Sequence, residues 1–254
     1  MDYTNMSKLP YSKGFTLISL MVATLIGLFI IAAAGEVYVK SKSSFNARAA
    51  VSSMTENGRF AIQDLRRTLV MAGMDIRASE ASSPTLRSIP PISASGTGVG
   101  TGQNSDVVAV RYRSGPSCGG YINNPAPATV RFLVVNGQLM CEVDGGTQQP
   151  LVSGVKLMKA LYGIDDTADG YANRYLNATQ VNALGKWINI VSLRVGLIVD
   201  SAEYNQPVEM RATAPYNLSL LGMNYTVPAN DEKTYKVFTT TIQLRNLNAI
   251  MQKQ

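Results

Sequence analysis

Few side chains in this chain of 254 residues have chemistry to offer. There is no histidine, so no Ser-His or Cys-His dyad can form and no imidazole is available as a base. No glycine-rich phosphate loop closed by Gly-Lys-Ser/Thr occurs, and the glycines between 96 and 102 lack the flanking strand and helix of one. Nothing points to a Ser–Lys pair, and enzymatic activity is not expected. Cys118 and Cys141 are too few for a tetrahedral zinc site. A disulfide in an oxidising compartment is their economical use. Asp165, Thr167 and Asp169, followed by Gly170, put oxygen ligands at the first, third and fifth positions of a calcium-type loop. Its twelfth position is Leu176, not glutamate, so calcium is a weak candidate and an Asp/Gly turn between strands is favoured. No other cofactor is expected.

The elements that position these residues begin with a helix of membrane length. Lys13-Gly14 closes a polar leader, and from Phe15 to Gly35 no charge occurs. About twenty such residues span about 30 Å of hydrocarbon. Thr16, Ser19 and Thr24 are the only polar residues in the run, and their hydroxyls can bond the helix's own carbonyls. A cleaved secretory signal would be shorter and end on a small-residue site; Ala32-Ala33-Ala34-Gly35 is the nearest approach. Residues 36–77 lack proline, and Val51, Met54, Gly58, Ala61, Ile62, Leu65, Leu69 and Ala72 recur at helical steps. They form one apolar stripe, with Gly73 near its end as a stop signal.

Residues 78–105 are rich in Ser, Gly and Pro and read as a surface loop. Strands are expected at 106–113, 128–135, 138–143, 152–162, 187–199 and 234–245, with Asn136-Gly137 as a type I′ hairpin turn. The polar stretch 200–233 reads as looped. The fold class is therefore α+β: a long N-terminal helix on a mostly antiparallel head. The net charge of +6 is scattered, with no run longer than Arg66-Arg67. That pattern favours a solvated surface, and DNA as a partner is permitted but unsupported.

Gly14-Phe15-Thr16-Leu17-Ile18, with Leu20-Met21-Val22-Ala23 following, resembles the processing motif of type IV pilins and pseudopilins. The resemblance implies a prepilin peptidase that cuts between Gly14 and Phe15 and N-methylates Phe15. It divides the chain into a leader at 1–14, a membrane and filament-core helix at 15–35, an amphipathic continuation at 36–77 and a periplasmic head at 78–254. Most such proteins carry glutamate where this chain has Ser19. That carboxylate is thought to meet the amino terminus of the subunit ahead, so Ser19 suggests a subunit with none ahead of it.

The segment from Met54 to Ala61, Leu161-Tyr-Gly-Ile-Asp165, Trp187 to Val195 and Val237 to Asn246 are similar to blocks of the PilW-like minor pilins. Membership would imply an inner-membrane protein with a periplasmic head, and then a place at the pilus tip. Its partners would be other minor pilins, the major pilin and a large tip adhesin. The roles implied are priming of assembly, twitching motility, adhesion and DNA uptake. A minor J-type pseudopilin of type II secretion shares this architecture. A tip subunit that itself binds DNA or a surface is a further alternative.

Overall fold

The computed structural model describes residues 16–76, 92–93, 104–202, 204–206 and 208–247. The leader, Gly14, Phe15 and most of the expected loop at 78–105 lie outside the described residues. The chain forms two compact units, Met1–Phe45 and Asn46–Gln254.

Within the first unit, helix α1 (Leu17–Leu69) begins at Thr16, whose Oγ1 accepts from the Ser19 amide at 3.4 Å. Ser19 Oγ donates back to the Thr16 carbonyl at 2.9 Å, and Thr24 Oγ1 does the same to Met21 at 2.9 Å. The polar groups of the run are thus satisfied inside the helix, as a segment entering hydrocarbon requires. Leu17, Ile18, Phe29 and Ile31 are exposed. The helix is long and apolar enough to cross a membrane. The first charges, Glu36 and Lys40, pair across one turn at 2.5 Å.

In the second unit, α1 buries Ala50, Met54, Gly58, Ala61, Leu65, Thr68 and Leu69. Val51, expected on this stripe, is exposed. Counting back from Met54, the four-residue step selects Ala50 in its place. The helix stops at Leu69 rather than 77 because turns carry the chain onto the head. Gly73 takes φ 80, and its amide donates to the Arg111 carbonyl at 2.8 Å, where a longer helix would have turned it inward.

The head is antiparallel throughout. One sheet has the order β1-β2-β3-β4-β5, comprising Ile92–Ser93, Val108–Pro116, Tyr121–Val135, Gln138–Val143 and Gln149–Ser153. A second has the order β11-β8-β6-β7, with β6 at Val155–Ile164, β7 at Arg174–Leu176, β8 at Ile190–Asp200 and β11 at Tyr235–Gln243. The expected strand at 152–162 is two strands, split at Gly154 with φ 78. The strand expected from 187 starts at Ile190, after a 3-10 turn at Trp187–Asn189. A short helix, α2 (Ala178–Leu184), follows β7 and is closed by an Asn177/Gln180 capping box and by Gly185 at φ 65.

The looped reading of 200–233 is corrected. It holds β9 (Tyr216–Leu220) and β10 (Met223–Val227), a hairpin turning at Leu221-Gly222. This hairpin covers the outer face of β6 and β8, where Leu157, Ile198, Leu220, Tyr225 and Val227 form a second, smaller core. The main core lies between α1 and the two sheets. Strand β8 is therefore buried on both faces, which is why its sequence is nearly all apolar instead of alternating. Two glycines permit the close approaches: a Cβ at Gly58 would lie 2.2 Å from the Phe238 ring, and one at Gly196 would lie 2.4 Å from Leu220.

Candidate functional site

The strand pairing brings Cys141, in mid-strand on β4, opposite Phe132 and Gln149. Cys118 sits in the turn between β2 and β3, closed by the Ser117 amide on the Gly120 carbonyl at 3.0 Å. The two are joined as a disulfide across 23 residues, with Cα atoms 5.4 Å apart. The crosslink pins an exposed turn to a strand whose own cysteine is fully buried. Replacing both cysteines by alanine is expected to cost roughly 3 kcal/mol for a loop of this length. Tm should fall by roughly 6–12 °C; a calorimetric shift of under about 2 °C would mean the strands hold the turn unaided.

Asp165 directly follows β6, whose last paired residue is Ile164, and is buried. Its Oδ1 accepts from the Thr167 and Ala168 amides at 3.0 and 2.7 Å, and its Oδ2 from the Gly170 amide at 2.7 Å. The Thr167 hydroxyl donates to the same Oδ1 at 3.3 Å, and Asp169 Oδ1 accepts from the Tyr171 amide at 2.9 Å. These oxygens organise the loop's own backbone as an Asx-type turn. Ala168 and Gly170 take the left-handed conformation within it, at φ 60 and 85. Burial would raise the Asp165 carboxyl, but the amides of Gly170, Thr167, Ala168 and Asp169 outweigh it and hold it below the usual range.

Such a carboxylate stabilises the fold above the unfolded pKa of about 3.9, and the contribution is lost as pH falls through the lower folded value. Asp165→Ala should cost about 1–3 kcal/mol, because several donors lose their acceptor. In urea titrations that difference from wild type should shrink below about pH 4. A rise in Tm on adding calcium to the wild type, absent from the variant, would instead give the loop to a cation.

One polar cluster carried no expectation from sequence. Lys159, in the middle of β6, is fully buried, and its Nζ lies 3.1 Å from Asp106 Oδ1. Asp106 Oδ2 accepts from the Ala160 amide at 3.0 Å, and the Asp106 amide donates to the Met158 carbonyl at 2.8 Å. Ser105 Oγ accepts from the Met158 amide at 3.1 Å. Residues 105–106 thus lie along β6 before the chain enters β2, sewing one sheet to the other. Burial raises the Asp106 carboxyl against the pull of the Ala160 amide and the Lys159 ammonium. A lysine inside an apolar strand was the available signal. Among the described residues no group of three or more Asp, Glu, Cys or His converges. The arrangement braces the two sheets of the head against each other.

Residues 121–246 match the family described as Type IV Pilus-assembly protein W, and residues 9–35 match the prokaryotic N-terminal methylation motif. A type IV-like pilin from Thermus thermophilus is similar in structure, with 15% identity and a TM-score of 0.46, over 76% of this chain and 97% of that one. No curated protein matches the chain.

Proposed function

We propose, from the premise that the chain belongs to the PilW family of type IV pilus minor pilins, that it primes pilus assembly and occupies a position at or near the pilus tip. The observation that carries this is the apolar half of α1. Its side chains are exposed and its polar groups are closed on themselves. Such a surface is stable in lipid, or against other apolar helices once lipid is left behind. A prepilin motif directly before it supplies the route between the two: the leader is removed by prepilin peptidase, and the helix waits in the inner membrane with its head in the periplasm. It then moves into a bundle with neighbouring pilins.

Ser19 supports the terminal position. A carboxylate at this depth costs roughly 2.5 to 3.5 kcal/mol on insertion scales, and a partner would offset that cost. The Ser19 hydroxyl instead bonds the Thr16 carbonyl at 2.9 Å and needs no partner. Twitching, adhesion and presentation of a large tip adhesin follow if the tip position holds.

The test is a crosslinked pull-down from the native membrane, with mass spectrometry of the partners and of the N-terminus. N-methylated Phe15 recovered with other minor pilins is the expected result. An intact leader with no pilin partner would overturn the proposal. Ser19→Glu is expected to allow a subunit ahead and so admit the protein along the filament shaft. Unchanged placement by immunogold labelling would remove Ser19 from the argument.

A further inference from the structure

We propose that the free edge of β11 is a strand-addition site that takes an extended segment of a neighbouring, different pilin subunit. The inference rests on the minor-pilin reading above and names the surface that reading leaves open.

β11 runs nine residues as the terminal strand of its sheet, in unbroken register with β8. The Leu244 amide donates to the Val191 carbonyl at 2.8 Å, which fixes the phase of the ladder. Residues of even number in β11 therefore turn their backbone groups toward β8. Tyr235, Val237, Thr239, Thr241 and Gln243 turn theirs outward, about 7 Å apart along the strand. Among the described residues, no backbone hydrogen bond meets that row.

Natural sheets guard such edges with proline, a bulge, a short strand or an inward charge. The other edges of the two larger sheets are guarded: β1 has two residues, β7 three, and β5 carries Pro150 and pairs β4 with a register shift. β11 has no proline, no bulge and no shortness. Its one charge, Lys236, is drawn aside to the Thr55 hydroxyl on α1 at 3.3 Å and over the Phe238 ring. Thr239, Thr241 and Gln243 are exposed, β-branched or uncharged, and so compatible with a paired strand.

A row of alternating donors and acceptors is matched by another extended backbone, not by a lipid or a nucleic acid. The even side chains of this strand face α1 through Lys236 and Phe238. The edge therefore runs beside α1, and on the minor-pilin reading its occupant is the head of a neighbouring pilin.

The test uses the full chain in its own membrane, with a photo-crosslinking amino acid in place of Thr241 and peptide mapping of the product. The expected product joins residue 241 to an extended head segment of another protein bearing a processed prepilin-type N-terminus. In a second strain, Thr239→Pro removes an outward N–H that β8 does not use, a place where proline is tolerated. It should reduce that product at least about tenfold while leaving Tm within about 3 °C. Products confined to a second copy of this chain, to its own residues or to a protein that is not a pilin would overturn the proposal, as would no product. If the edge gives no product while minor pilins still co-purify, the edge is wrong and the minor-pilin role stands. If no pilin co-purifies and the leader is intact, both fall.

Discussion

Asp106→Asn is expected to cost the head about 3–5 kcal/mol and roughly 6–20 °C in Tm. The substitution keeps an acceptor for the Ala160 amide but removes the charge 3.1 Å from a lysine with no exposed surface. Breaking a buried pair from one side is costly because the remaining ion cannot be rehydrated without opening the core. The two partners should not be equivalent. Lys159→Met fills the space with an apolar chain and leaves a carboxyl whose burial already favours its protonated form. Its cost should be well under half that of Asp106→Asn. The pair Asp106→Asn/Lys159→Met should recover most of the loss, since a buried ion pair and its apolar substitute are often of similar stability. Equilibrium unfolding of the detergent-solubilised chain reads all three. Equal, small effects, below about 1 kcal/mol each, would mean that water reaches Lys159 and that the clamp is superficial.

The clamp also illustrates what a sequence carries and what it does not. Lys159 stands out locally, as a charge amid Leu157, Met158, Ala160 and Leu161. Its partner is 53 residues earlier, and nothing in the spacing selects Asp106. Pairings of that kind are set by the topology of two sheets. The disulfide was legible for the opposite reason: two cysteines leave one pairing. Turn chemistry was legible where the residue types matched the backbone. Asn136-Gly137 takes φ 50 and 73, as that dipeptide advertises. Leu221-Gly222 takes φ 51 and 81 in an equivalent two-residue turn, but leucine seldom adopts a positive φ. That hid the hairpin, and with it the second core. The Asn177/Gln180 box before α2 is a local signal of the ordinary kind, attached to a helix of only seven residues. The apolar stripe of α1 was right in period and one residue off at its start, where Ala50 and not Val51 is buried.

The N-terminal motif makes the largest functional prediction. Gly14→Ile should leave the leader attached, with Phe15 unmethylated and no subunit recovered from sheared filaments. At the proposed cleavage junction a β-branched side chain would replace the one residue type with no Cβ, in a backbone that would have to enter a peptidase site. The consequence for assembly follows from charge. An uncut leader keeps Lys8 and Lys13 on the polar side of the membrane run. Drawing either into a helix bundle would cost roughly 2.5–3.5 kcal/mol on insertion scales. The uncut chain should therefore accumulate in the inner membrane with a folded, disulfide-bonded head. Gel mobility under non-reducing conditions checks the head, and intact-mass measurement checks the leader. Gly14→Ala, which keeps the junction small, should be processed more slowly and still assemble. If the isoleucine variant is cut normally, the junction lies elsewhere and Ser19 loses its special position. If it is uncut and still enters filaments, the leader's charges do not hold the helix in the membrane. The apolar half of α1 would then have to enter the bundle by a route other than exchange of lipid for neighbouring helices.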